Sequence, residues 1–369
     1  MPLSNASSLD IPEVSTSDTH VNNDIISTYK LPPRQNRGVP PDMFSSEGKV
    51  KYHIANYVSC DDSDQIIKLE KNLSAKFEMK SLGDLKYFLG VEVARSSKGI
   101  FLSQRKYVLD LLKETCMLGC KPVDTPIVEK HYLGVYPDQE PVDKGRYQRL
   151  VGRLIYLAHT RPDIAYAVSV VSQFMHSPSV DHMATVMRIL AYLKSAPRKG
   201  ILYKNSGHLR IEGFTDVDWA GDVTVRRSTS GYFTFVGGNL VTWISKKQNV
   251  VSRSSAEVEF RGMAHGICEV LWLRKLLGGL GFKVKEAISL YCYNKSAREI
   301  AENPIEHDRT KHVEVDRYFM KEKLEKKIVS IPFVNSEEQL ADILTHAVCS
   351  RVFGDSLVKL GMCDIYAPT

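Results

Sequence analysis

The chain has 369 residues, 43% hydrophobic and 25% charged, which excludes a wholly disordered, collagen-like or coiled-coil protein. No apolar run reaches the roughly 18 residues of a membrane span, and the first residues do not read as a signal peptide. The net charge of +6 arises in residues 61–207, which hold 22 Lys and Arg against 16 Asp and Glu. We therefore expect an intracellular protein, cytoplasmic or nuclear, with no membrane partner.

The first third predicts a tail followed by a small folded unit. Residues 1–60 are rich in Ser, Asn, Asp and Pro with little apolar periodicity, so we expect disorder. From Asp61, apolar residues recur every three or four positions, which predicts an amphipathic helix with Ser63 as N-cap. Residues 85–93 and 99–102 then predict a hairpin, and residues 104–114 a helix.

The middle third predicts a small basic helical bundle. Helical stretches are expected over 144–158, 162–175 and 181–195. Basic side chains interrupt their apolar positions: Arg146, Arg149, Arg153, Arg188 and Lys194. Such a surface is suited to neutralising phosphates, although a mild basic excess is more often an ordinary solvated surface.

The last third predicts an α/β layered domain. Strands are expected over 209–215, 231–236, 240–244, 288–292 and 328–334. Helices are expected over 255–277, 295–303 and 313–326, with a last one opening at Ser336. The longest helix begins with a capping-box spacing, Ser254 three residues before Glu257.

Acidic residues punctuate this last domain. Asp216, Asp218 and Asp222 crowd the end of the first strand, and carboxylates gathered in this way can hold two Mg²⁺ ions for phosphoryl transfer. The ordinary alternative is a cap at Asp216 and turn residues at the other two. Glu259 likewise suits the first turn of a helix, where the dipole favours a carboxylate, and Asp342 suits a surface charge.

The order of these acids on strand, helix and final helix resembles the ribonuclease H domain of Pol polyproteins from copia-type LTR retrotransposons, especially plant elements. The similarity rests on ordered stretches such as Phe-Thr-Asp-Val-Asp-Trp-Ala-Gly-Asp, Ser-Ser-Ala-Glu-Val-Glu-Phe and Glu-Gln-Leu-Ala-Asp-Ile-Leu-Thr. These and the remaining matching stretches are 214–222, 226–232, 245–248, 254–260, 271–274, 309–313 and 338–345.

Upstream stretches resemble other parts of the same polyproteins. Residues 85–93, 99–107, 150–156 and 160–164 look like the distal palm and thumb side of the reverse transcriptase, while 34–37 and 52–59 resemble the linker after integrase. The implied domains are a disordered linker at 1–60, a partial reverse transcriptase at 61–205 and a ribonuclease H-like domain at 206–369. The implied fold class is α/β, with a mixed five-stranded sheet and helices preceded by the palm and thumb remnant.

The polymerase half departs from the family. Roughly 150–200 residues of fingers and palm should precede the helix near Asp61, a size consistent with a domain that needs its own core. The nearest text to the family's Tyr-Val-Asp-Asp hairpin is Tyr57-Val58-Ser59-Cys60, which reads as linker. We therefore expect a truncated Pol fragment without polymerase activity.

The ribonuclease H half departs at one position. The family's strand ends Tyr-Cys-Asp-Asn, whereas this chain has Tyr293 at the place of the metal-binding aspartate. The resemblance then implies Asp216, Glu259 and Asp342 as the catalytic residues and ligands of Mg²⁺ or Mn²⁺. A neutral phenol is a poor ligand for a hard cation, so Tyr293 should weaken the site. Asn294 can offer a neutral oxygen or, more simply, cap the next helix.

Other residue types receive expectations as well. Residues that flank a pair of histidines are implied to contact substrate: His307, Arg309, Lys311 and His312. Seven cysteines without regular pairing indicate neither disulfides nor zinc. Side chains expected to be buried rather than functional are Cys116, Cys120, Trp219, Trp243 and Trp272.

The implied activity is metal-assisted hydrolysis of the RNA strand of an RNA–DNA hybrid, impaired at Tyr293. The rivals are a catalytically dead nucleic-acid-binding module and a transposon relic without function. Implied partners are hybrid or duplex nucleic acid and other Pol-derived proteins. Residues 206–369 should fold on their own.

Overall fold

The computed structural model describes residues 63–75, 85–252, 254–302 and 314–365. Expectations for the tail at 1–60 and for four implied substrate contacts lie outside these ranges; the four are His307, Arg309, Lys311 and His312. In the part of the chain that is described, every helix is either too short or too polar to cross a bilayer.

A first, antiparallel sheet occupies the earlier part of the described chain. Its strands are β1 Tyr87–Phe88, β2 Val91–Ser96, β3 Gly99–Ser103, β4 Gly200–Tyr203 and β10 Met362–Cys363. They are ordered β1-β2-β3-β4-β10. The predicted hairpin is confirmed, but its first strand is divided, because Leu89 and Gly90 adopt positive φ and turn the chain between β1 and β2.

Helices pack beside this sheet. They are α1 Ser63–Ser74, α2 Arg105–Glu114, α3 Lys144–Ala158, α4 Ala165–Ser172 and α5 Val180–Ser195. The prediction for α3 is confirmed at both ends. The stretch predicted over 162–175 instead begins as a 3₁₀ turn, Pro162–Ile164, and α4 ends three residues early. A reciprocal capping box between Ser179 and His182 begins α5.

The second sheet is mixed. Its strands are β5 Ile211–Asp218, β6 Thr229–Val236, β7 Asn239–Lys247, β8 Ile288–Tyr291 and β9 Val329–Ser330. The order is β7-β6-β5-β8-β9, with β5, β6 and β7 antiparallel and β8 parallel to both β5 and β9. The mixed five-stranded sheet of the expected fold class is confirmed.

Helices cover this sheet. They are α6 Ser255–Gly279, α7 Lys295–Glu302, α8 Glu314–Glu325 and α9 Ser350–Lys359. The predicted cap of α6 is confirmed, since the Ser254 hydroxyl accepts a hydrogen bond from the backbone N–H of Glu257 at 3.3 Å. One face of α6 packs on β5 and β8 through a cluster of buried apolar residues, among them Phe260, Met263, Ile267 and Leu290.

The prediction of a helix opening at Ser336 was wrong. Two 3₁₀ turns, Ser336–Glu338 and Leu340–Leu344, occupy this stretch, and α9 follows them. The buried Gln339 separates the turns: its backbone is extended, and its side-chain amide donates to the carbonyl of Thr215 at 3.0 Å. A long-range contact therefore overrides the local helical pattern.

A second hydrophobic core joins the two sheets. It combines Leu154 and Leu157 of α3 with Phe233 of β6, Leu240 of β7 and Phe353 of α9. The indole N–H of Trp243 adds a hydrogen bond of 2.9 Å to the Ala158 carbonyl. The predicted boundary near residue 205 thus lies between β4 and β5, and the core continues across it.

Burial was mispredicted at four side chains. Trp219 and Trp272 are 49% and 52% exposed, whereas Trp243 is partly buried as part of the shared core. Cys116 is exposed and Cys120 half-buried. Cys116 has a φ of 57°, so the chain leaves the helical path there and the thiol does not continue the apolar face of α2.

Candidate active site

Asp216 lies on the central strand of the second sheet. Its side chain is 3% exposed, and the hydroxyl of Thr345 donates a hydrogen bond to it. Burial raises the pKa of Asp216, while the Thr345 hydrogen bond and the charge of His346 lower it. The carboxyl is therefore fixed by a neighbour 129 positions later in the chain.

Gly231 allows the segment 340–345 to reach this strand. It stands opposite Asp216 in the register of β5 and β6. A Cβ at Gly231 would lie 2.6 Å from the Cβ of Leu344, closer than side chains pack. The missing side chain is thus what permits Asp342 and Thr345 to approach Asp216.

Gly262 has the same role for α6. A Cβ there would lie 2.5 Å from a methyl carbon of Val217. Because the helix can approach β5 this closely, Glu259, one turn earlier, faces the strand and is 1% exposed. Neither carboxyl oxygen of Glu259 has a hydrogen-bond partner of normal geometry among the described residues.

The ionisation of Glu259 reflects this enclosure. Burial raises its pKa to about 9, and the charge of Asp216 adds to the rise, whereas the nearby Tyr293 hydroxyl offsets part of it. Asp342, in the second 3₁₀ turn, has its pKa raised to about 8 by burial and by Asp216. The three acids implied by the family resemblance are therefore electrostatic neighbours.

Tyr293 follows β8 and lies among these acids. Its pKa is raised by burial and then by the charges of Glu259 and Asp216. Asn294 turns away from the acids to cap α7, where its side-chain oxygen accepts from the Ala297 N–H at 2.9 Å. Of the two alternatives for Asn294, the structure supports the cap.

The fit of these residues to a divalent cation is one of donor chemistry. Among the described residues, no group of three or more His, Cys, Asp or Glu side chains is gathered closely enough to hold a metal ion. The donors are nevertheless carboxyl oxygens, the type that hard cations prefer, and two of them, on Glu259, are buried and unpaired. A buried carboxyl without a partner is costly, and a cation would relieve that cost.

Asp218 and Asp222 differ in role. Asp222 accepts from the N–H groups of Thr224 at 2.7 Å and Val225 at 2.8 Å and forms an ion pair with Lys247. It is a turn residue, as the ordinary alternative stated. Asp218 is half-buried, and burial raises its pKa, with the charge of His346 opposing the rise.

Sequence reasoning missed Thr345 and His346. Thr345 is fully buried, and its hydroxyl lies 3.2 Å from Nδ1 of His346 as well as contacting Asp216. The available signal was their place directly after the stretch that contains Asp342. Nothing in local periodicity announces a contact with β5.

The helical half of the molecule also borders the site. Tyr166 of α4 is hydrogen-bonded to His131 at 2.8 Å, and the charge of Asp218 contributes to its raised pKa. The backbone N–H of Val135 donates to the Thr224 hydroxyl at 3.3 Å. Residues from the predicted partial reverse transcriptase therefore contact the loop that follows β5.

Comparison with known proteins places these observations in a family. Residues 46–129 match the family model described as reverse transcriptase (RNA-dependent DNA polymerase). The chain is 40% identical over 294 residues to the Retrovirus-related Pol polyprotein from transposon RE1 of Arabidopsis thaliana, covering 80% of this chain and 20% of that one. It is 31% identical to a transposon Ty5-1 protein of Saccharomyces cerevisiae, covering 55% of this chain and 67% of that one.

Among solved structures, the foamy viral protease-reverse transcriptase in complex with RNA/DNA hybrid is similar over 71% of this chain and 30% of its own, at 10% identity and a TM-score of 0.40. The chain spans about a fifth of the length of the Pol polyproteins it matches first. Its ordered motifs, its mixed sheet with flanking acids and its relatives agree, and the chain belongs to the Pol polyprotein family of copia-type LTR retrotransposons.

Proposed function

We propose that the second sheet carries a ribonuclease H site that binds RNA–DNA hybrid and cleaves its RNA strand weakly or not at all. Asp216, Glu259 and Asp342 would hold Mg²⁺ or Mn²⁺. When bound, the ions supply an activated water and charge stabilisation of the leaving oxygen. The protein would distinguish RNA from DNA by the 2′-hydroxyl groups of the substrate.

The observation that carries this proposal is the buried acidic cluster around an unpaired carboxyl. Glu259 is enclosed without a hydrogen-bond partner among the described residues, and its pKa is raised to about 9 partly by Asp216. Acids so close together cannot all ionise unless a positive charge joins them. An arrangement of this kind is costly to stability and is typical of a site that binds a cation.

The residues of the chain divide the remaining tasks. Thr345 holds the Asp216 carboxyl in one orientation through its hydrogen bond. Gly231 and Gly262 admit the two segments that bring Asp342 and Glu259 to β5. The closed surroundings exclude water, which strengthens the electrostatic interactions inside.

Tyr293 is the reason to propose impairment. The phenol stands among the acids, stays neutral because its pKa is raised, and contributes no anionic ligand. It is also larger than a carboxylate and occupies room beside Glu259. This observation favours the second candidate, a nucleic-acid-binding module without catalysis, over a fully active nuclease. We further propose that the chain lacks polymerase activity, because it contains no complete set of palm aspartates.

The test is cleavage of an RNA–DNA hybrid in Mg²⁺ by the natural chain and by Tyr293→Asp. We expect negligible cleavage by the natural chain and measurable cleavage by the variant, because the fourth carboxylate is restored. Tyr293→Phe is the matched control: it removes the hydroxyl but adds no charge, and should stay inactive. Tyr293→Asp combined with Asp216→Asn should lose the restored activity.

Two results would contradict the proposal. Robust Mg²⁺-dependent cleavage by the natural chain, lost on Asp216→Asn, would show that Tyr293 does not impair the site. Folded Tyr293→Asp protein that binds hybrid but does not cut it would favour the binding module.

A further inference from the structure

Trp219 is an exposed aromatic residue at the rim of the acidic cluster. It is the first residue after β5 and the third after Asp216. Although the side chain is 49% exposed, its indole N–H donates a hydrogen bond of 3.2 Å to the carbonyl of Ser252. The ring is therefore both accessible and anchored.

The loop that carries Trp219 is held from within. Asp222 accepts two backbone N–H groups of this loop and pairs with Lys247. The N–H of Ala220, next to the tryptophan, donates to the Ser228 hydroxyl at 3.1 Å. A ring fixed before binding loses little conformational entropy when a ligand packs on it.

Its surroundings suit a polyanion. Arg226 and Arg227, on the same loop, are exposed, and such cations contact phosphate groups readily. Burying the exposed part of an indole against sugar and base edges removes a large apolar area from water. The loop thus combines an apolar platform with positive charge next to a carboxyl of the proposed site.

The other tryptophans lack this combination. Trp272 is as exposed, at 52%, but it lies thirteen residues beyond Glu259 on α6, which is about 20 Å along the helix. Trp243 donates its N–H to Ala158 and belongs to the core. Exposure alone therefore does not single out Trp219, whereas its place and its anchoring do.

We propose that Trp219 is a substrate-contact residue that packs its indole face against the RNA strand of the hybrid in the minor groove, as that strand approaches Asp216. The inference rests on the proposed hybrid-binding function and adds a specificity-determining residue to it. The minor groove of A-like helices is wide and shallow, whereas that of B-DNA is about 6 Å wide. A flat ring held at the surface suits the first better than the second.

The test is equilibrium binding of the full chain to a fluorescein-labelled RNA–DNA hybrid, followed by anisotropy in EDTA so that no cleavage occurs. Trp219→Ala should weaken hybrid binding about tenfold, the effect expected when a central aromatic contact is truncated. Trp219→Phe should keep most of the affinity. Trp272→Ala is the matched control and should bind like the natural chain. With duplex DNA of the same sequence, Trp219→Ala should change the affinity less than threefold.

A second readout reports the contact directly. Hybrid should change the intrinsic tryptophan fluorescence of the natural chain, and this change should disappear in Trp219→Phe but persist in Trp272→Phe. Thermal unfolding of each variant shows whether a loss of binding is merely a loss of fold.

Each outcome decides the question. Equal hybrid affinity of Trp219→Ala and Trp272→Ala would overturn the role of Trp219, and equal losses on hybrid and duplex DNA would overturn the assignment to the hybrid's minor groove. If the natural chain fails to bind hybrid while still folded, the proposed function itself is wrong, and the inference falls with it. Binding by the natural chain with a selective loss in Trp219→Ala supports both.

Discussion

Burial, more than any neighbouring charge, controls the ionisation of Glu259. It is the first cause of the raised pKa, with Asp216 second. The same order holds at Asp342. Each group therefore binds its proton more tightly in the folded chain than in the unfolded chain, and this difference links folding stability to pH.

We expect stability without metal to fall as the pH rises. The unfolded chain releases the Glu259 proton near the ordinary pKa of 4.5, the folded chain near 9. The stabilisation is fully present below the lower value and is lost as the pH rises through the upper one. In EDTA, the Tm should decrease between pH 5 and pH 9, by about 2–4 °C for each kcal/mol lost.

Glu259→Gln removes this titration, so its Tm should depend less on pH than that of the natural chain. The exposed Glu299→Gln is the matched control and should follow the natural chain. Parallel Tm curves for the natural chain and Glu259→Gln would show that Glu259 does not titrate as described.

How far the sequence predicts individual residues depends on how local their contacts are. The cap at Asn294 and the Ser254 cap of α6 follow from short-range rules and are confirmed. Thr345 contacts Asp216 across 129 positions, and no local pattern encodes that pairing. The exposure of Trp219 was mispredicted because average burial ignores the turn that holds its ring outward.

Glycine placement explains how separate elements converge on β5. Gly231 and Gly262 remove the side chains that would hold segment 340–345 and α6 away from the strand. The strands and most helices were predictable from periodicity, whereas the close approaches were not. Gln339 shows the limit again, because its bond to the Thr215 carbonyl replaces a helix by two 3₁₀ turns.

The basic face of α3 differs from its predicted extent. Arg146 and Arg149 are exposed, but Arg153 pairs with Glu114, and Arg188 donates to the Thr125 hydroxyl at 3.0 Å. Fewer cations are therefore free to meet phosphates than the composition indicates.

We expect Arg146 and Arg149 to contact duplex phosphates. Each phosphate contact adds about 0.9 to the slope of log K against log salt on B-DNA. Replacing both residues by Ala should therefore lower the slope by roughly 2. The measurement is anisotropy titration between low and moderate salt.

A control with the same change in charge is Lys283→Ala with Lys285→Ala, both exposed in the loop between α6 and β8. It should leave the slope nearly unchanged. If both double variants alter the slope equally, binding reflects net charge and α3 has no special role.

The two sheets share a core, which makes the molecule more unified than its family segments suggest. Leu154 of α3 and Leu240 of β7 are both buried in one cluster. β10, near the end of the described chain, pairs with β4. The sequence suggested that residues 206–369 fold on their own, but isolating them would expose the face of β6 and β7 that packs on the helices.

We therefore expect one cooperative thermal transition for the described unit. Leu154→Ala and Leu240→Ala lie on opposite sides of the predicted boundary near residue 205, and each should destabilise the chain by about 2–5 kcal/mol, the range for buried leucines. Because the core is shared, each substitution should lower the midpoint of that same transition. Calorimetry, compared with near-UV circular dichroism, measures this. Two transitions, each shifted by only one of the substitutions, would instead show that the halves fold independently despite the contacts between them.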